Sequence, residues 1–186
     1  IPTGLNPSGL VVNPDGRTLY VCNYGSGTVS FIDIDPTSAT YNTAKADINV
    51  GSTSKAVGVS PDGTTLIVGT ETSVLLLNTA DGSAKADINV GSSSKGVGVS
   101  PDGAFAVVLL DNGDLVLIDI RPGVPLDERA KAEVNVGSTS KGVGVSPDGA
   151  SVYITQADGK VDIYAIVALG SSAASPAITS PFEFQF

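Results

Sequence analysis

The sequence predicts an all-β chain built from four copies of one four-stranded unit, and three observations carry that reading. A turn motif recurs as Asn13-Pro14-Asp15-Gly16, Ser60-Pro61-Asp62-Gly63, Ser100-Pro101-Asp102-Gly103 and Ser146-Pro147-Asp148-Gly149, 40 to 47 residues apart. The segments leading into it are near-duplicates: INVGSTSKAVGVSPDG (48–63), INVGSSSKGVGVSPDG (88–103) and VNVGSTSKGVGVSPDG (134–149), with IPTGLNPSGLVVNPDG (1–16) in the same frame without a gap. No stretch of ten or more residues spaces its apolar residues as a helix would.

Each unit reads as four short strands, A to D. In the second copy strand A covers 55–60, with Val57 and Val59 on one face and Gly58 on the other. The turn follows, with Pro61 presetting φ, Asp62 favoured at the next position and Gly63 accepting the left-handed conformation that closes the hairpin. Strand B covers 65–70, strand C 73–78 and strand D 84–90. The other B strands fall at 18–22, 104–109 and 151–155, and the other C strands at 28–34, 114–120 and 160–166. Strands A to C are Val-, Leu- and Ile-rich and bounded by Gly, Asn and Asp. Strand D alternates charge in Lys45-Ala46-Asp47-Ile48-Asn49 and in its equivalents at 85–89 and 131–135, a pattern suited to an outer edge that must not pair with another sheet.

Four strands in about 40–45 residues is the period of a β-propeller blade, whose two apolar faces must be covered by neighbouring blades. The expected architecture is a propeller of four four-stranded blades, with a propeller region at 1–165 and frames 1–47, 48–87, 88–133 and 134–180. Residues 166–186 form a closing or assembly tail. The small Gly58, Gly98 and Gly144 suit the innermost strand, where backbones crowd.

The motifs Val12-Asn13-Pro14-Asp15-Gly16, Leu19-Tyr20-Val21-Cys22-Asn23 and Gly27-Thr28-Val29-Ser30 resemble the YVTN family of β-propeller repeats, found in surface-layer-type and secreted proteins of bacteria and archaea. The resemblance covers about residues 1–165. It implies an extracellular or cell-surface location and a structural or binding role. Family propellers commonly have seven blades, whereas this chain holds four. Two closures remain open: a four-bladed ring, or half of an eight-bladed ring formed by a dimer. Both chain ends are candidates for one D-strand slot, Ile1–Gly4 by alignment with 48–51 and residues 174–179 by position.

Phe182, Phe184 and Phe186 alternate and so share one face of a strand. Burying each stabilises by about 1.5–3 kcal/mol, which makes the tail a candidate assembly element, folding onto its own propeller or pairing with a neighbouring subunit. Lys55, Lys95 and Lys141 occupy one repeat position, with Ser8 in the remaining copy, and are expected to ring one mouth of the channel. Asp15, Asp62, Asp102 and Asp148 form an acidic set on the opposite face, where turn chemistry already explains them. Opposed rings of this kind favour head-to-tail stacking into a fibre.

Among 186 residues there are ten Lys and Arg, nineteen Asp and Glu, and no His, giving a net charge of −9. That balance lacks the positive field a nucleic acid requires. With no His, no Met, and Cys22 as the lone cysteine, histidine-centred catalysis, His-ligated metals and intramolecular disulfides drop out. No apolar run approaches the roughly 20 residues of a transmembrane helix. The sequence therefore favours a non-enzymatic module with no cofactor, whose partner is a second copy of itself or another surface protein or glycan. The alternative is a small-ligand-binding or lactonase-like propeller, although lactonase sites draw on His.

Overall fold

In a computed structural model that describes residues 1–51, 53–125, 130–168 and 176–179, the apolar runs between the Gly-, Asn- and Asp-rich turns form strands, and no described residue is helical. The first copy gives β1 (Pro7–Val12), β2 (Thr18–Asn23), β3 (Thr28–Asp33) and β4 (Thr43–Asn49). The second gives β5 (Ala56–Val59), β6 (Thr65–Gly69), β7 (Ser73–Asn78) and β8 (Ala84–Asn89). The third gives β9 (Ser94–Val99), β10 (Phe105–Leu110), β11 (Asp114–Asp119) and β12 (Ala130–Asn135). The fourth gives β13 (Ser140–Val145), β14 (Ser151–Gln156), β15 (Val161–Ala168) and β16 (Pro176–Thr179). Each copy folds into its own four-stranded antiparallel sheet with the strands in chain order, so each sheet is one blade.

The turn motif closes the A–B hairpin as its residues dictate. Gly63 takes φ +72°, a conformation that costs a glycine little, while its N–H donates to the Ser60 carbonyl at 2.8 Å. In the first three blades the C–D pairing slips by one residue, between Phe31 and Ile32, Leu76 and Leu77, and Leu117 and Ile118. The residue skipped on the D strand is Lys45, Lys85 or Lys131, because the partners on either side are Ala46 and Ala44, Ala86 and Ala84, and Ala132 and Ala130. A lysine bulge in an edge strand interrupts the ladder and adds charge, and both effects discourage further strand pairing.

The chain comprises two compact units, Ile1–Ser94 and Lys95–Phe186. In the first, Tyr20, Cys22, Val29 and Phe31 of blade 1 pack with Leu66, Val68 and Leu77 of blade 2, and Val57 and Val59 lie against this core. The Tyr20 and Phe31 rings meet edge to face, 4.8 Å between centroids. In the second unit, Phe105, Val107, Leu109, Leu115 and Leu117 of blade 3 pack with Val152, Ile154 and Tyr164 of blade 4, backed by Val143 and Val145. Within each unit, period-2 alternation thus gives the first blade a leading face that packs on the trailing face of the second. Gly98 is small for a packing reason: a Cβ there would meet Val107 Cγ2 and Val145 Cγ2, both at 3.1 Å.

The contested D-strand slot of blade 4 is filled from the C-terminal side. β16 pairs with β15, Thr179 opposite Ala165 and Pro176 opposite Ala168. The N-terminal residues form no strand; the Leu5 and Asn6 carbonyls accept bonds from Gly25 and Tyr24 N–H within blade 1. Phe182, Phe184 and Phe186 lie outside the described residues.

Candidate functional site

The acidic set is consumed by the turns that hold it. Asp62, Asp102 and Asp148 each accept the hydroxyl of the serine two residues earlier and the N–H two residues later, from Thr64, Ala104 and Ala150. Those serine hydroxyl bonds, with the backbone N–H bonds second, hold all three carboxyls below the usual carboxylate range. Asp15 accepts the Arg17 N–H at 2.8 Å but has no serine hydroxyl at the equivalent position, because Asn13 replaces the serine.

The three lysines share a repeat position and have three different surroundings. Lys55 stands 5.3 Å from the centroid of the Tyr24 ring. Lys95 donates to the carbonyls of Asp111, Ser138 and Ser140 at 3.2–3.3 Å and pairs with the Asp111 carboxylate at 3.7 Å, tying blade 3 to the loop that opens blade 4. Lys141 projects from β13 and is exposed.

Three side chains, two of them departures from the repeat, converge in the first unit, which sequence reasoning missed. Asn13 stands where the other copies have Ser, Tyr20 where two of them have Ile67 and Val107, and Thr79 where the others have Ile34, Ile120 and Ile166. They line a cleft of about 540 Å³ with Asp15, Lys45 and Asp81. Asn13 Nδ2 donates to the Tyr20 hydroxyl at 3.2 Å, Thr79 Oγ1 donates to the Gly63 carbonyl at 2.6 Å, and the buried Asn13 Oδ1 has no partner among the described residues. Burial pushes the Tyr20 phenol up. The signal was available as departures from the repeat at equivalent positions. Cys22, in the same unit, is fully buried, and desolvation pushes its thiol up to about 11, so it is a packing residue rather than a nucleophile. On β12, Glu133 is raised by its hydrogen bond to Asp114, a carboxylate pair that the repeats do not announce.

Apolar side chains of blades 1 and 4 are exposed. Leu10 and Val12, on the trailing face of blade 1, are 65% and 45% exposed. Their repeat equivalents Val57 and Val59, and Val143 and Val145, are the A-strand valines packed onto the two cores. Tyr153 and Val161, on the leading face of blade 4, are 41% and 56% exposed. Their equivalents Tyr20 and Val107, and Val29 and Leu115, are buried.

Repeated four-stranded antiparallel sheets, packed face on face, define a β-propeller-type fold of four blades. The chain matches the solved structure of Kuenenia stuttgartiensis hydrazine synthase with a TM-score of 0.72 and 25% identity, over 89% of this chain and 47% of that one. It therefore spans about half the length of that structure. No protein-family model matches the chain, and no curated protein matches it.

Proposed function

We propose that this chain is a non-enzymatic propeller module of the YVTN repeat type, extracellular or cell-surface, serving a structural or adhesive role through contact with other proteins. The observation that carries the reading is the exposure of apolar side chains at packing positions, Leu10 and Val12 on blade 1 and Tyr153 and Val161 on blade 4. Apolar side chains at positions built for packing mark a surface made for protein contact. The low charge density, with charged residues at 16% of the chain, and the YVTN-like motifs support a surface location. The repeated acidic side chains and Lys95 also fit this role, since their hydrogen bonds hold turns and join blades. Immunogold labelling of intact source cells with an antibody to this chain tests the proposal. Label on the outer surface is expected, and label confined to the interior of sectioned cells would refute it.

A second reading, small-ligand binding, is favoured by one observation, the cleft where Asn13 and Thr79 replace the repeat residues beside Tyr20. Isothermal titration with simple saccharides and lactones, against the Asn13→Ser variant, tests it. Heat that is identical for both proteins would remove the cleft from consideration.

A further inference from the structure

We infer that Asn112 is a site of spontaneous covalent modification: its carboxamide closes onto the Gly113 nitrogen, and reopening of the ring leaves an isoaspartyl link that loosens the β10–β11 turn from the loop leading into blade 4. The reaction is the chain's own and consumes only water.

Asn112-Gly113 is the one Asn-Gly step in the sequence, and Asn112 is exposed in the turn between β10 and β11. A glycine after asparagine leaves the attacking nitrogen unshielded by a side chain. Base takes the Gly113 N–H proton, the nitrogen bonds Asn112 Cγ, and the Cγ–Nδ2 bond breaks to release ammonia. Water then opens the cyclic imide at one of its two carbonyls. Opening at Cγ gives a normal aspartyl residue. Opening at the main-chain carbonyl gives the isoaspartyl isomer, in which the backbone runs through Cβ and Cγ. Either product carries a carboxylate where the amide stood.

Blade 4 shows which neighbours suit such a carboxylate. Its equivalent turn holds Asp158-Gly159-Lys160 where blade 3 has Asn112-Gly113-Asp114. In both turns the first side chain accepts the N–H two residues on, at 3.2 Å from Lys160 and 3.1 Å from Asp114. The facing charges differ. Asp158 meets the Lys160 ammonium at 3.1 Å, whereas Asn112 Nδ2 donates to the Asp114 carboxylate at 2.5 Å. A carboxylate at 112 therefore meets a like charge in place of an acceptor for its hydrogen bond.

The extra backbone carbon of the isoaspartyl form enters a turn with no slack. A Cβ on Gly113 would lie 2.5 Å from both the Gly137 carbonyl carbon and Ser138 N. The Gly113 carbonyl accepts the Val136 N–H at 2.7 Å. Just before it in the chain, Asp111 holds Lys95, which also donates to the Ser138 and Ser140 carbonyls. A link lengthened by about 1.5 Å displaces Gly113 from that loop, and the Val136 bond is the first to go.

The folded turn slows closure without preventing it. Gly113 N–H must leave the Leu110 carbonyl, 3.1 Å away, and the Asn112 carboxamide must turn from Asp114. Each bond slows the reaction by up to about tenfold, so the native chain is expected to convert about 10–100-fold more slowly than the unfolded one.

Incubation of the full chain in mildly alkaline buffer, followed by peptide mapping and isoaspartyl-specific methylation, tests the inference. The peptide holding Asn112 is expected to gain about 1 Da before any other, faster at higher pH, and to accept the methyl label. Hydrogen exchange at the Val136 amide is expected to quicken in the isoaspartyl fraction. Asn112→Ser, which cannot cyclise in this way, should take no label there and keep Val136 protected after the same incubation. A native chain that leaves Asn112 intact while the urea-unfolded chain converts would overturn the inference. So would earlier conversion at another asparagine, an isoaspartyl fraction with unchanged Val136 exchange, or equal loss of protection in Asn112→Ser.

Discussion

Replacing Lys95 with alanine separates a lysine that joins blades from one that merely repeats. Lys95 Nζ donates to the Asp111, Ser138 and Ser140 carbonyls and pairs with the Asp111 carboxylate, and its side chain is mostly buried. Hydrogen bonds to a charged group contribute about 1.5–3 kcal/mol. Distances of 3.2–3.3 Å lie at the long end of the useful range, which places this set near the lower bound. The 3.7 Å ion pair reaches a half-exposed carboxylate and adds little. Lys95→Ala should therefore cost about 1.5–2 kcal/mol, a drop of roughly 3–8 °C in melting temperature for a chain of this size. Lys141→Ala, at the same repeat position but exposed, should stay within about 0.5 kcal/mol of wild type. Urea unfolding followed by circular dichroism, at fixed protein concentration, reads both. Equal losses for the two variants would refute the claim that surroundings, rather than repeat position, decide what these lysines do.

Acid should act on Asp33, whose carboxyl is lowered to about 2, first by the Thr40 hydroxyl and then by Ser38 and the Asp35 N–H. A carboxyl depressed by folding stabilises above its unfolded value of about 3.9 and loses that contribution as pH falls toward 2. The wild-type melting temperature should fall across that window by more than that of Asp33→Asn, and parallel profiles would contradict the assignment. Leu117→Ala removes a fully buried side chain from the core of the second unit and should cost about 2–5 kcal/mol in chemical denaturation. A loss below 1 kcal/mol would mean that the two blades are not packed as described.

Strand placement was legible because the signal is local and written four times. Period-2 alternation and the Pro-Asp-Gly turn locate a strand from its own residues, and residues 73–78 appear as β7 with those same bounds. The D-strand lysines were legible as edge protection but not as bulges, since a bulge depends on the partner's register as well as on the strand itself. The divergent fates of Lys55, Lys95 and Lys141 were not legible either. A tyrosine 31 residues away in the chain meets the first, while loop carbonyls of the next blade meet the second. The cleft at Asn13, Tyr20 and Thr79 was written as departures from the repeat at Asn13 and Thr79, but changes in separate loops signify a site only when packing brings them together. The different surroundings of Gly98 and Gly144 have no sequence signature, because the same residue type lies between two valines at Gly98, whereas among the described residues nothing lies within 4 Å of a Cβ at Gly144.

No sheet here borrows a strand from a remote part of the chain; all four are sewn from consecutive segments, the last included. Adding or deleting one whole copy would leave every remaining sheet with its full complement of strands. A gene encoding such a chain can lengthen or shorten by unequal crossing-over between its own near-identical stretches, and each product arrives with complete building blocks. What changes is the number of blades each chain contributes, so blade number rather than foldability becomes the property on which selection acts.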